Sequence, residues 1–298
     1  MTSLTPMSSV IAPAHYISDI HQAASALGSI SPDVVRSLLE VNRGTAGANM
    51  TTLGLAMAVT NTETYTLKGS TLKPLSSASA SRVVDLETKA SNPPRIETPL
   101  HLEIQAIWDD KTLISGSGNN ILGGNGRLIL EPSLIEIPSV EATDALLGYY
   151  GATLIEQDDI IHFPDEEFPL FVMEVGDRYV EDTLMTDAGG GFYLEYHHDK
   201  PHFHLPMRGS GNYLLAKWSE DHTKLQITGF RIPDGKAVYS KKGAIHCDAA
   251  LTGDLLVGYS VAKDCSTVLL QNKDGKRVEV RFKEPTRASG FPIGAVKV

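Results

Sequence analysis

Apolar and polar residues alternate over much of the chain after position 94, which is typical of β-strands. The segment 98–107 carries an apolar residue at every second position from Leu100 to Ala106, and this period places those side chains on one face. Similar short runs follow, separated by turn sequences such as the Asp274-Gly275 pair. Short strands broken by regular turns predict an all-β sandwich or barrel of jelly-roll type.

The start of the chain has a different, helical pattern. Residues 14–28 place apolar side chains on one helical face, and residues 31–44 do so again. The second segment has Ser31 as a helix cap, Pro32 at the first helical position and Gly44 as a terminator. The sequence therefore predicts an N-terminal helical pair that packs on the later sheet.

The composition between these two patterns suggests a boundary. Residues 76–92 are rich in Ser and Ala, and Pro93-Pro94 closes the stretch, as expected for a loop or linker. We therefore predict an N-terminal helical and extended segment over 1–94, a β-rich region over 95–184 and a barrel over 185–298. The β-rich region is expected to pack on the barrel or to contribute strands to it.

Length and charge exclude some classes of partner. The 298 residues are 42% hydrophobic and 21% charged, with a net charge of −10, and a chain of this length can bury a sizeable core. An acidic surface repels nucleic acids and anionic membranes, and no apolar run approaches the roughly 20 residues of a membrane helix. A small-molecule substrate is the expected partner, and a homodimer is compatible with the sequence.

The cysteines and the N-terminus bear on the compartment. Cys247 and Cys265 are the two cysteines, too few for a disulfide framework, and are read as reduced thiols. The first residues lack the basic and apolar regions of a secretory signal. A cytoplasmic location is the resulting expectation.

The candidate chemistry is concentrated in histidines. Four of the ten histidines lie between His197 and His204, and His246 follows about forty residues later. If His202-Phe203-His204 is extended, both imidazoles face the same way. A histidine from a neighbouring strand then completes a three-nitrogen site, which suits Fe, Mn, Ni or Zn.

These residues carry a resemblance to the cupin superfamily. Cupins have His-x-His on one strand and, later, a Gly, five residues, Pro-x-Gly, two residues and His. Gly235, Gly243 and His246 stand at those spacings, with Lys241 in place of the Pro. The resemblance covers roughly a third of the chain, from about 185 to 285. It implies a double-stranded β-helix (jelly roll) holding a divalent metal through His202, His204 and His246.

The sequence departs from the cupin pattern at the fourth ligand. Cupins carry a metal-binding Glu four or five residues after the second His, where this chain has Arg208 and Gly209. Glu195, His198 or Asp248 could take its place. Asp248 lies two residues from His246 and therefore on the same strand face.

Other interpretations of the same histidines remain open. His197-x-Asp199 with a distal His246 matches the two-His-one-carboxylate set of 2-oxoglutarate oxygenases; otherwise His197 and His198 are polar residues at the mouth of the barrel. The cluster could also bind a polar ligand without metal, or could be purely structural.

Two further residues are candidates for the catalytic machinery. Arg208, at the position of the missing Glu, could replace the charge of the metal or bind a substrate carboxylate or phosphate. The alternative is a solvated side chain in a glycine-rich loop. Tyr239 could line the barrel near a substrate, although a buried tyrosine is more often part of a core.

The function predicted from these features is that of a metal-dependent enzyme acting on a small polar substrate. Oxygenase chemistry is favoured over isomerase or epimerase chemistry. Because fold does not settle reaction, a non-catalytic ligand-binding or interaction protein on a cupin scaffold is the alternative from a different class.

Overall fold

The chain is mainly β in the computed structural model, as the alternation predicted. The structure describes residues 50–75, 82–86, 95–110, 125–165, 168–187, 189–198, 200–258, 265–284 and 296–297. The predicted helical pair over 14–28 and 31–44 lies outside these residues. Among the residues described, no helix has the length and apolar character needed to cross a membrane.

The described part of the chain contains eighteen strands. They are β1 (Met50–Val59), β2 (Thr64–Lys68), β3 (Thr71–Pro74), β4 (Val83–Asp85), β5 (Leu102–Asp109), β6 (Asn125–Leu130), β7 (Leu134–Glu141), β8 (Ala152–Ile155), β9 (Ile160–His162), β10 (Phe168–Val175), β11 (Tyr193–His197), β12 (His202–Trp218), β13 (Lys224–Arg231), β14 (Ala237–Ser240), β15 (Ile245–Gly258), β16 (Cys265–Asn272), β17 (Glu279–Lys283) and β18 (Val296–Lys297).

The helical segments among the described residues are short. Helix α1 spans Asp144–Leu147 and continues into a 3-10 turn at Gly148–Tyr150. Thr143 caps α1, because its hydroxyl accepts a hydrogen bond from the backbone N–H of Leu146 at 3.3 Å. A π-helical turn at Val180–Leu184 precedes β11.

Seven strands close into a barrel. The pairing runs β15–β11–β16–β6–β5–β13–β12 and returns from β12 to β15. The barrel is mixed, because β16 and β6 run parallel while the other six pairs are antiparallel. Closure removes open sheet edges within the barrel. The finer identity as a jelly roll stays a prediction.

Strands from earlier in the chain join this sheet. β5 and β6, from the predicted region 95–184, belong to the barrel itself. β1 pairs with β10, which pairs with β15, so residues 50–59 extend the same sheet. β2, β3, β4 and β9 form a separate four-stranded sheet.

A sharp corner in β12 and β15 places the candidate site. His204 pairs with Val257 near one end of their ladder, and Leu215 pairs with His246 near the other. Eleven positions of a straight strand would separate these rungs by roughly 36 Å. Nevertheless, the His204 ring comes within hydrogen-bonding distance of a residue next to the far rung, with its Nε2 3.1 Å from a carboxylate oxygen of Asp248.

Glycines make this corner possible. Gly211 and Gly253 have φ values of 123° and 94°, which favour glycine because it lacks a Cβ. A Cβ at Gly211 would lie 1.9 Å from the carbonyl oxygen of Ala250, and one at Gly253 would lie 2.1 Å from that of Arg208. The two long strands therefore fold back, and the first part of β12 faces the start of β15.

Candidate metal centre

Three strands contribute two side chains each to one buried polar cluster. These side chains are Glu195 and His197 of β11, His202 and His204 of β12, and His246 and Asp248 of β15. Each pair is separated by two positions, so both members face the same side of their strand. We call these six residues the histidine cluster. Five of them are buried, and the side chain of Asp248 is 19% exposed.

Within the histidine cluster, Glu195, His202 and His246 form the group best placed to hold a metal ion. One potential ligand atom from each of the three lies within 4.8 Å of the others. The strand register accounts for this, because Glu195 pairs directly with His246 across β11 and β15. The rings of His202 and His246 are 4.1 Å apart, centroid to centroid.

The chemistry of the donor atoms fits a cation. His246 donates its Nδ1–H to the carbonyl oxygen of Ala244 at 2.9 Å, so the neutral ring keeps a lone pair on Nε2. That Nε2 has no hydrogen-bond partner among the described residues and lies 3.6 Å from Oε1 of Glu195. A lone pair on a buried imidazole nitrogen beside a carboxyl group is a donor arrangement that suits a divalent transition metal.

His197 extends the cluster behind His202. Its Nδ1 lies 2.7 Å from Nε2 of His202, so one ring donates a hydrogen bond to the other. Its Nε2 has no hydrogen-bond partner in the described structure and lies 3.9 Å from Oε2 of Glu195. Thr267 donates a longer hydrogen bond, 3.4 Å, to the same oxygen of Glu195.

On the other side of the cluster, His204 is held by a carboxylate. Its Nε2 lies 3.1 Å from Oδ2 of Asp248, and the hydroxyl of Tyr193 donates to Oδ1 at 2.7 Å. Burial acts to raise the pKa of Asp248, but the hydrogen bonds with His204 and Tyr193 lower it, and the pKa is about 2. Asp248 is therefore ionised at neutral pH.

Burial keeps the other rings neutral. Burial, together with the neighbouring imidazoles, lowers the pKa of His246 to about 4 and that of His197 to about 3. The pKa of His202 is also well below its usual value, because of burial and the neighbouring His246. Neutral imidazole is the form that binds metals, so this cluster is ready to ligate near pH 7.

The sequence predicted six site residues, and the structure places them in different surroundings. His202 and His246 lie in the group with Glu195, and His204 lies beside it. His198 is exposed, and its ring contacts Tyr196, 4.4 Å away, rather than the group.

The two predicted catalytic residues lie away from the histidine cluster. Arg208 is 82% exposed and forms an ion pair with Asp254 at 2.7 Å. Tyr239 is buried in a second apolar core, where its ring packs against Phe163 at 6.5 Å.

The alternative set based on His197 and His246 is partly described. Their ring centroids are 5.8 Å apart, while Asp199 lies outside the described residues. His197 belongs to the interior rather than to the mouth of the barrel, since its side chain is fully buried. The alternation of Glu195 and His197 along an extended segment would have indicated that these two side chains share one face of their strand.

Comparisons of the chain with family models and with curated proteins identify no relative. No family model matches the chain, and a search of curated proteins finds no match either. The likeness to cupins therefore depends on the spacing of the histidines, the closed barrel and the buried His/Glu group, with which a cupin-like jelly roll is compatible.

Proposed function

We propose that this chain is a metal-dependent enzyme of cupin type that acts on a small polar substrate. The observation that carries the proposal is the buried group of Glu195, His202 and His246, whose ligand atoms lie within 4.8 Å of one another. Glu195 takes the place of the carboxylate that the cupin pattern expects at position 208 or 209. His204, adjacent to this group, is proposed as a further nitrogen ligand.

A divalent Fe, Mn, Ni or Zn ion bound here would supply Lewis acidity, and Fe or Mn would also supply redox chemistry. The side chains around it determine what can react. Five cluster members are buried, so bulk water is excluded and electrostatic interactions inside the site are strengthened. Asp248, the member with a partly exposed side chain, marks the side from which a substrate would approach.

The charges of the cluster bear on the substrate class. Glu195 and Asp248 are the two acidic members of the cluster. The side chains that shift the pKa values of His197, His202, His246 and Asp248 belong to His, Tyr or Asp residues. Arg208, the predicted anion-binding residue, is paired with Asp254 instead. These charges support a neutral or cationic substrate over a dicarboxylate such as 2-oxoglutarate.

Oxygenase chemistry is the more specific form of the proposal, and dioxygen uptake tests it. Protein loaded anaerobically with Fe²⁺ is mixed with air-saturated buffer and a panel of small polyols, amines and phenols, and dioxygen is followed with an electrode. We expect substrate-dependent uptake that His246→Ala abolishes and that the exposed-site control His162→Ala retains. Iron-loaded protein that converts a panel compound without taking up dioxygen would support isomerase or epimerase chemistry instead.

The burial of almost the whole histidine cluster favours a second candidate function from another class. A ligand-binding or interaction protein does not turn over substrate, so it needs no passage for repeated entry and release. Asp248 is the only cluster side chain with appreciable exposure in the described residues. Metal content separates the two candidates. Protein purified without chelator that holds no transition metal, and takes up none on titration, would leave the non-catalytic binder.

A further inference from the structure

Asp248 makes two hydrogen bonds to buried partners on different strands. The hydroxyl of Tyr193 on β11 donates to Oδ1 at 2.7 Å, and Nε2 of His204 on β12 lies 3.1 Å from Oδ2. Both carboxylate oxygens are therefore engaged. An ionised carboxylate can only accept, so the proton between Asp248 and His204 belongs to Nε2.

This contact determines what the other nitrogen of His204 can do. In the neutral form that binds metals, an imidazole carries one N–H, so a proton on Nε2 leaves the lone pair on Nδ1 of His204. Nδ1 is buried and has no hydrogen-bond partner among the described residues. A buried polar atom without a partner costs free energy, which a ligand at this position would recover.

The ring of His204 is also fixed by packing. It stacks almost parallel to His202, at 15° with centroids 6.0 Å apart, and lies 4.7 Å from the ring of Tyr213. His246 shows the same arrangement, with Nδ1 tied to the carbonyl of Ala244 and Nε2 left without a partner. A metal-binding histidine typically has its second nitrogen tied to an acceptor in this way.

We propose that Asp248, held in turn by Tyr193, is a positioning residue that fixes His204 as the Nε2–H tautomer. Nδ1 of His204 then serves as a further nitrogen donor to the cation held by Glu195, His202 and His246. The second part rests on the proposed function, and the first does not. Asp248 is assigned to positioning because its two oxygens each hold a buried partner, Tyr193 and His204.

The tautomer can be measured in metal-free protein. Heteronuclear NMR of isotope-labelled histidine side chains, assigned with His204→Gln, reports which ring nitrogen carries the proton. We expect Nε2–H at His204 in the wild type and a shift to the Nδ1–H tautomer, or to a mixture, in Asp248→Ala. Tyr193→Phe removes one of the two hydrogen bonds of Asp248 and should give a smaller shift.

A matched control and a milder variant guard against an effect of folding. Asp254→Asn changes another aspartate of β15, one that pairs with exposed Arg208, and should leave the His204 tautomer unchanged. Asp248→Asn keeps the volume and, with its amide N–H2 donating to the Tyr193 oxygen, a carbonyl acceptor for Nε2 of His204. It should retain the Nε2–H tautomer even if Asp248→Ala folds poorly.

Zinc affinity, measured by competition with a chelator, supplies the second readout. Loss of an orienting carboxylate typically weakens metal binding by about 10–100-fold, and we expect this of Asp248→Ala but not of Asp254→Asn. A wild type with Nδ1–H at His204, or a tautomer that Asp248→Ala does not change, would overturn the role of Asp248 alone. A wild type that binds no zinc overturns the proposed function, while the tautomer still decides the role of Asp248.

Discussion

The first part of β12 presents two faces that are equally buried and chemically opposite. Phe203 and Leu205 point into an apolar core with Tyr239 and Phe168, and both are 0% exposed. His202 and His204 point the other way into the histidine cluster, at 5% and 0% exposure. Alternation along one strand thus separates a stabilising face from a polar one.

The difference lies in what each face gains from burial. Phe203 is stabilised by leaving water. The imidazoles lose hydration, and the structure recovers only part of that loss, because Nε2 of His197, Nδ1 of His204 and Nε2 of His246 have no hydrogen-bond partner in the described residues. A fold that retains several unsatisfied atoms in one place indicates a ligand site.

The largest effect on stability should come from the apolar face. Phe203→Ala removes a fully buried ring and should lower the free energy of unfolding by about 3–5 kcal/mol, measured by denaturant unfolding. Ile107→Ala, at a side chain that is 61% exposed, is the matched control and should change it by less than about 0.5 kcal/mol. A loss from Phe203→Ala below about 1 kcal/mol would contradict a packed core on this face.

The polar face should instead make the free energy of unfolding depend on pH. Burial lowers the pKa of His246 from 6.5 to about 4, so the unfolded state binds protons first as the pH falls. In chelator-treated protein, the free energy of unfolding should stay level above about pH 6.5 and decrease between there and pH 4, by about 3 kcal/mol for this residue.

His246→Gln should reduce this slope, while His162→Gln, at an exposed histidine, should not. Asp248 contributes mainly below this window, because folding lowers its pKa from 3.8 to about 2 and its stabilisation is lost as the pH falls between these values. Unfolding free energies that are independent of pH between 6.5 and 4 would mean that the cluster is hydrated rather than buried.

The smallest effect is expected outside both faces. Arg208→Ala removes an exposed side chain and one surface ion pair, which contributes at most about 1 kcal/mol. Stability and metal affinity should therefore both stay close to wild type. A large loss of metal binding in this variant would contradict the placement of Arg208 outside the histidine cluster.

Local periodicity was enough to predict the β class and the shared face of His202 and His204. It could not place Arg208, because counting positions after His204 assumes that β12 continues as a straight strand. The chain turns at Gly209–Gly211, and Arg208 pairs with Asp254 across the corner instead of entering the cluster.

The contribution of β11 depended on contacts distant in sequence. Glu195 was one of three candidate replacements for the missing carboxylate, and nothing local distinguished it from His198. Its pairing with His246 across β11 and β15 does so, because that register is set by the closure of the barrel. The same closure brings His197 inside.

The central claim is that Glu195, His202 and His246 hold one divalent cation, and calorimetric titration of chelator-stripped protein with Zn²⁺ tests it most directly. The account predicts saturable, stoichiometric binding that Glu195→Gln weakens by more than about 100-fold, since losing a ligand should exceed the effect of losing an orienting group. His162→Ala should bind as the wild type does. The absence of saturable binding in folded wild-type protein, or equal affinity in Glu195→Gln, would contradict the account.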